Sequence, residues 1–146
     1  RKNSADEKQK AKVLLQRFGL EEFASYHPFQ LSAGMRQRVA LLRAYLCKKE
    51  VMLMDEPFGK LDALTRLNLQ RWFLEIWQEH KLSVLLVTHD IDEAIFLSDR
   101  IYILSPRPAQ VKRQINIQKP RSDPTQRQMD KQLIKTKNEI ICLLQT

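Results

Sequence analysis

Three short stretches carry side chains whose type and spacing suit phosphate chemistry. The first is Asp55-Glu56, an acid pair that follows four apolar residues, Val51-Met52-Leu53-Met54. An acid at a strand end can hold Mg2+ against phosphate oxygens, often through water. A second carboxylate beside it can orient or deprotonate an attacking water. The second stretch is His89, which follows the apolar run Val84-Leu85-Leu86-Val87-Thr88 and could donate a hydrogen bond to a phosphate oxygen. The third is Leu31-Ser32-Ala33-Gly34-Met35, which opens a helical pattern. The free N–H groups and positive dipole end of a helix start attract anions, and small residues let a phosphate come close. Each stretch has an ordinary alternative: loop acids, a satisfied histidine, a capped helix start.

Elements must bring these groups together. Val13, Leu14 and Phe18 give residues 5–18 an apolar side, and Gly19 supplies a C-terminal stop. Ser32 stands as N-cap before a helix over 33–47, with Met35, Val39, Leu42 and Leu46 at helical spacing. Asp62 caps a second long helix to His80, in which Leu69, Trp72, Phe73, Ile76 and Trp77 follow the amphipathic template. Asp90 with Glu93 reads as a capping-box-like pair for a short helix, 91–98. Apolar strands are expected at 51–54, 83–88 and 101–104, with a fourth of edge type at 111–117. Asp123-Pro124 opens a last helix. Continuous apolar strands alternating with helices predict an α/β fold with a parallel sheet covered on both faces. Functional groups in such sheets collect beyond the carboxyl ends of the strands, where Asp55, Glu56 and His89 fall.

Taken in order, these segments resemble one family. LSAGMRQRVALLRA is similar to the signature motif and helix of ATP-binding-cassette (ABC) ATPases, usually LSGGQ. VMLMDEP resembles their Walker B strand and glutamate, GKLD their D-loop and VTHD their H-loop. The wording of GMRQRVAL, MDEPFGKLDALTR and THDIDEAIFLSDRIYILSPRP is similar to importer ATPases for nitrate, sulfonates and taurine. The resemblance implies a P-loop NTPase-like parallel sheet with flanking helices, incomplete because it holds only the C-terminal part of the domain. Residues 1–118 would be that partial ATPase domain, and 119–146 a basic helical extension.

The resemblance also implies roles. ATP and Mg2+ would be the cofactors, and a second ATPase subunit, meeting this one head to tail, the partner. Ser32 and Gly34, with Ala33 between them, would contact the γ-phosphate of ATP held by that partner, with Gln30 flanking. Asp55 would hold Mg2+, Glu56 would act as general base, His89 would bond the γ-phosphate, and Asp62 would couple the two sites. Ala33 stands where the motif usually has its first glycine, so a positive φ there would be disfavoured. The work would be done at the cytoplasmic face of a membrane, against permease subunits. No G-x-x-x-x-G-K-[ST] phosphate loop occurs in the sequence. The isolated chain is therefore expected to be inactive, a fragment lacking its start. The alternative is a non-catalytic module that offers a signature helix to a complete ATPase.

Composition narrows the field further. With 146 residues and 43% hydrophobic content, the chain can build one real core. No apolar run approaches the length of a membrane span. Cys47 and Cys142 form no metal or redox motif. The net charge of +8 sits mostly in residues 1–12 and 105–146, outside the phosphate-binding segments. Nucleic acid is therefore not expected as a partner, because a reader would carry its basic surface on the main elements.

Overall fold

The computed structural model of the chain describes residues 5–47, 49–80, 83–117 and 131–145. Helix α1 spans Ala5–Arg17. It ends in a Schellman turn: Gly19 N–H donates to the Gln16 carbonyl at 3.0 Å, and Leu20 N–H to that of Leu15 at 2.8 Å. Gly19 takes φ +63°, which a glycine adopts without strain. Short 3-10 turns at Glu21–Phe23 and Pro28–Gln30 lead into α2, Ala33–Leu46. Strand β1 is Val51–Asp55, α3 Ala63–His80, β2 Ser83–Val87 and α4 Ile91–Leu97. Strands β3, Arg100–Leu104, and β4, Val111–Asn116, precede α5, Lys131–Gln145. The expected start of that last helix at Asp123-Pro124 lies outside the described residues.

The α/β class and a parallel sheet are present. β1 and β2 run parallel, in register from Val51 opposite Ser83 to Asp55 opposite Val87. The strand at 101–104 does not extend this sheet. β3 pairs antiparallel with β4, joined by a Pro-containing turn, as a separate two-stranded ribbon.

One face of the parallel pair carries the main core. Met52 and Met54 of β1 are buried against Leu41 and Leu42 of α2 and Leu69, Trp72, Phe73 and Ile76 of α3. Trp72 anchors the junction, edge-on to Phe18 at 4.3 Å and to Tyr45 at 5.6 Å between ring centres. The other face departs from the expected two-sided cover. Successive strand residues point to opposite sides, and Val51, Leu53, Leu85 and Val87 all point to the open one; Leu53 is 73% exposed. A second core joins Ile95 of α4, Ile101 and Ile103 of β3, and Leu133 and Ile140 of α5.

Candidate phosphate site at the strand ends

Strand β1 stops because the chain turns sharply at Glu56-Pro57. Pro57 disfavours the right-handed helical region for the residue before it, and Glu56 adopts the left-handed region, φ +46°. Its N–H donates to the Val87 carbonyl at 2.9 Å, so the turn remains stitched to the end of β2. Its carbonyl accepts from Gly59 N–H at 3.3 Å, closing a tight turn. Phe58 drives this turn into the core, fully buried and edge-on to Phe73 at 6.4 Å.

That stitching brings Glu56 and His89 together from two strand ends. Glu56 Oε1 accepts from His89 N–H at 3.0 Å and lies 2.6 Å from His89 Nδ1. The hydrogen bond to Glu56, and then its negative charge, raise the His89 pKa above 6.5. A carboxylate and an imidazolium so placed can share and move a proton. Asp55 is exposed at the end of β1.

The helix start faces this turn. Ser32 is the N-cap of α2, and its Oγ accepts from Met35 N–H at 3.2 Å. Ala33 is the first helical residue and does not take a positive φ, so the concern raised by an alanine there does not arise. Gly34 lies against the loop after Phe58: a Cβ there would stand 3.5 Å from the Lys60 carbonyl and 3.5 Å from Leu61 Cδ2. Those are ordinary contacts, so nothing among the described residues demands glycine at 34. A cleft of about 310 Å3 separates the two parts, lined by Ala33, Arg36, Gln37, Asp55, Glu56 and Lys60. The start of α2 and the acid pair thus line one cleft.

Gln30 is differently employed. Its Oε1 accepts from His27 N–H at 2.8 Å, closing the 3-10 turn before the signature. Asp62 caps α3 through Thr65 N–H at 3.0 Å, and that bond first of all lowers its pKa below 3.8. It stands exposed at the far end of the loop from Glu56.

Several participants were not legible in the sequence. Gln37 reaches from α2 to the acidic turn, where its Nε2 donates to the Glu56 carbonyl at 2.5 Å. Arg66 of α3 donates to Leu61 O at 3.2 Å and to Asp90 Oδ2 at 3.3 Å, tying the loop before α3 to the residue after His89. Asp90 caps α4 through Glu93 N–H at 3.0 Å, but the reciprocal half of the expected box is missing. Asp90 N–H instead donates to Thr88 Oγ1 at 3.0 Å, and the Glu93 carboxyl turns inward, where burial pushes its pKa up to about 7. Bonds from side chains to remote backbone leave no periodic trace in a sequence.

Known proteins are similar to this chain in sequence and fold. A protein family described as ABC transporter matches residues 1–59. The chain is 44% identical over 107 residues to the nitrate import ATP-binding protein NrtD of Synechocystis sp., covering 73% of the chain and 40% of that protein. It is 46% identical over 121 residues to the aliphatic sulfonates import ATP-binding protein SsuB of Bacillus thuringiensis, covering 82% of the chain and 48% of that protein. Among solved structures, a dimeric ATP-binding cassette in a post-hydrolysis state bound to ADP and Pi superposes with TM-score 0.70 at 32% identity, over 81% of this chain and 50% of that one. The chain therefore spans about half the length of the proteins it matches.

Proposed function

Because the chain belongs to the ABC transporter ATP-binding family, we propose that it forms the latter part of the nucleotide-binding cassette of an importer for nitrate, sulfonates, taurine or similar small solutes. The observation that carries the reading is the Glu56–His89 pair, 2.6 Å apart at the carboxyl ends of β1 and β2. Two strands and a left-handed turn converge to build it, which solvated loop acids do not require.

The roles follow from placement. The Glu56 carboxylate takes the proton of the attacking water as its oxygen bonds to the γ-phosphorus, the bond from that phosphorus to the bridging oxygen breaks, and ADP leaves with the electron pair. His89 holds a proton at Nδ1 beside that carboxylate and offers a donor to the phosphate. Asp55 supplies a hard oxygen of the kind Mg2+ takes, and one carboxylate suffices where phosphates and water complete the shell. Bound with ATP, the ion offsets charge on the phosphates.

The first-turn N–H groups at Ala33 and Gly34 have no acceptor within α2. With the Ser32 hydroxyl they suit a γ-phosphate brought by a second subunit, head to tail. Among the described residues a methyl at 34 meets ordinary contacts, so glycine there would serve chiefly the close approach of such a phosphate. Asp62 and Gln30 would lie along the same subunit interface. Such a cassette works against permease subunits at the cytoplasmic face of the membrane; among the described residues no helix is long and apolar enough to cross one.

The test is Glu56→Gln in the full-length cassette. Turnover is expected to fall on the order of a hundredfold or more, while Mg-ATP still drives association of two subunits. Parental turnover by that variant removes Glu56 from the chemistry and the reading with it.

A further inference from the structure

Gln37 lies two residues past the signature motif and has so far no part in the chemistry. It sits half-buried on α2, and its amide is used at both ends. Nε2 donates to the Glu56 carbonyl at 2.5 Å, and Oε1 accepts from the Lys60 N–H at 3.2 Å. A primary amide is the side-chain group that donates and accepts in this way, and the two partners together fix which end is nitrogen.

The backbone it grips is the unusual one. Left-handed φ costs a residue with a Cβ on the order of 1–2 kcal/mol, and persists only where neighbours over-determine it. At Glu56 the neighbours are Val87, Gly59 and Gln37, the first two of which belong to the strand pair and the turn itself. Gln37 ties the turn to α2. Gly34, three residues earlier on the same helix, packs on the same loop at Lys60. Helix α2 and the acidic turn are therefore fastened along one edge of their shared cleft.

We infer that Gln37 is a positioning residue: by bridging Glu56 and Lys60 it holds the Glu56 carboxylate in register with helix α2. The inference rests on the function proposed above and adds a consequence to it. Ser32 and Gly34 would serve a nucleotide held by the second subunit, whereas Glu56 would serve the one held by its own. A shift of α2 as the signature engages a phosphate is transmitted through Gln37 to the main chain of Glu56. One amide thus links the occupancy of one site to the aim of the base in the other.

The experiment uses the full-length cassette and Gln37→Met, which keeps the volume and removes both hydrogen bonds. The expected result is a kcat lower by about tenfold to a hundredfold, the range a displaced catalytic group produces, with KM for Mg-ATP unchanged. In a Glu56→Gln background the same substitution is expected to cost nothing further, because Gln37 acts through Glu56. Parental kcat in Gln37→Met overturns the inference. So does an equal loss in both backgrounds, which is what a smaller folded fraction produces. Gln37→Glu guards against a poorly folding methionine variant: it keeps an acceptor for Lys60 but places a carboxylate against the Glu56 carbonyl. It is expected to be at least as slow as Gln37→Met, and parental turnover by it also overturns the inference. Parental turnover in Glu56→Gln alone strikes down the proposed function and the bridge together. Parental turnover in Gln37→Met beside an inactive Glu56→Gln strikes down only the bridge.

Discussion

Glu56 and His89 show what a single contact does to protonation. The pairing raises the His89 pKa, first through the hydrogen bond and then through the charge of Glu56. A group with a raised folded pKa adds stability that is complete below its unfolded value, near 6.5, and lost as pH rises through the raised value. An NMR titration of the His89 ring is expected to place its midpoint above 6.5, and Glu56→Gln to bring it back toward 6.5. A midpoint at or below 6.5 in the parent chain would mean the pair does not form in solution. Both residues were legible in the sequence because each follows directly on an apolar strand. Their contact was only implied, since parallel register decides whether two strand ends meet. Gln37 and Arg66 were not legible, because their partners are backbone groups of a loop and, for Arg66, also a carboxylate twenty-four residues away.

Helix α4 couples that contact to the interior. Its N-cap is Asp90, as read from the sequence, yet Glu93 leaves the box and is buried beside Gln70 of α3 at 3.5 Å. Burial pushes the Glu93 pKa from 4.5 up to about 7. The unfolded chain ionises this group first, so stability falls as pH rises from about 4.5 to about 7 and then levels off. The drop attributable to Glu93 is on the order of a few kcal/mol. Urea melts at pH 5 and pH 8 are expected to show that loss in the parent and a much smaller one in Glu93→Gln. Equal losses in both would place the cause elsewhere. The capping-box pattern failed here because the Glu93 carboxyl lies inward beside Gln70 of α3 instead of reaching back to the N-cap N–H, which Thr88 Oγ1 takes up.

For the whole molecule, the sequence told the class and the order of elements but not the layering. An apolar run such as Val51–Met54 reads the same whether one or both of its faces are covered. Here the described helices cover only the face with Met52 and Met54, and four aliphatic side chains lie in the open on the other. Exposed apolar patches of this kind promote association. Leu53→Lys with Leu85→Lys is expected to raise the soluble, monomeric fraction of this chain at fixed concentration, measured by sedimentation. In the full-length cassette proposed here the same pair is expected to lower the melting temperature, because the added length would close over that face. Unchanged sedimentation of the chain would mean that another surface governs its association. β3 and β4 were likewise read as strands, but nothing in their composition announced an antiparallel ribbon packed with α5.

The backbone at position 56 sets local strain against the role proposed for its side chain. A glycine would occupy φ +46° without penalty, whereas glutamate is held there against its preference. Glycine there would relieve that strain but discard both the carboxylate and its pairing with His89. On the role proposed for Glu56, a glycine variant would trade backbone strain for the loss of the base, so whatever stability it gained would come at the expense of turnover.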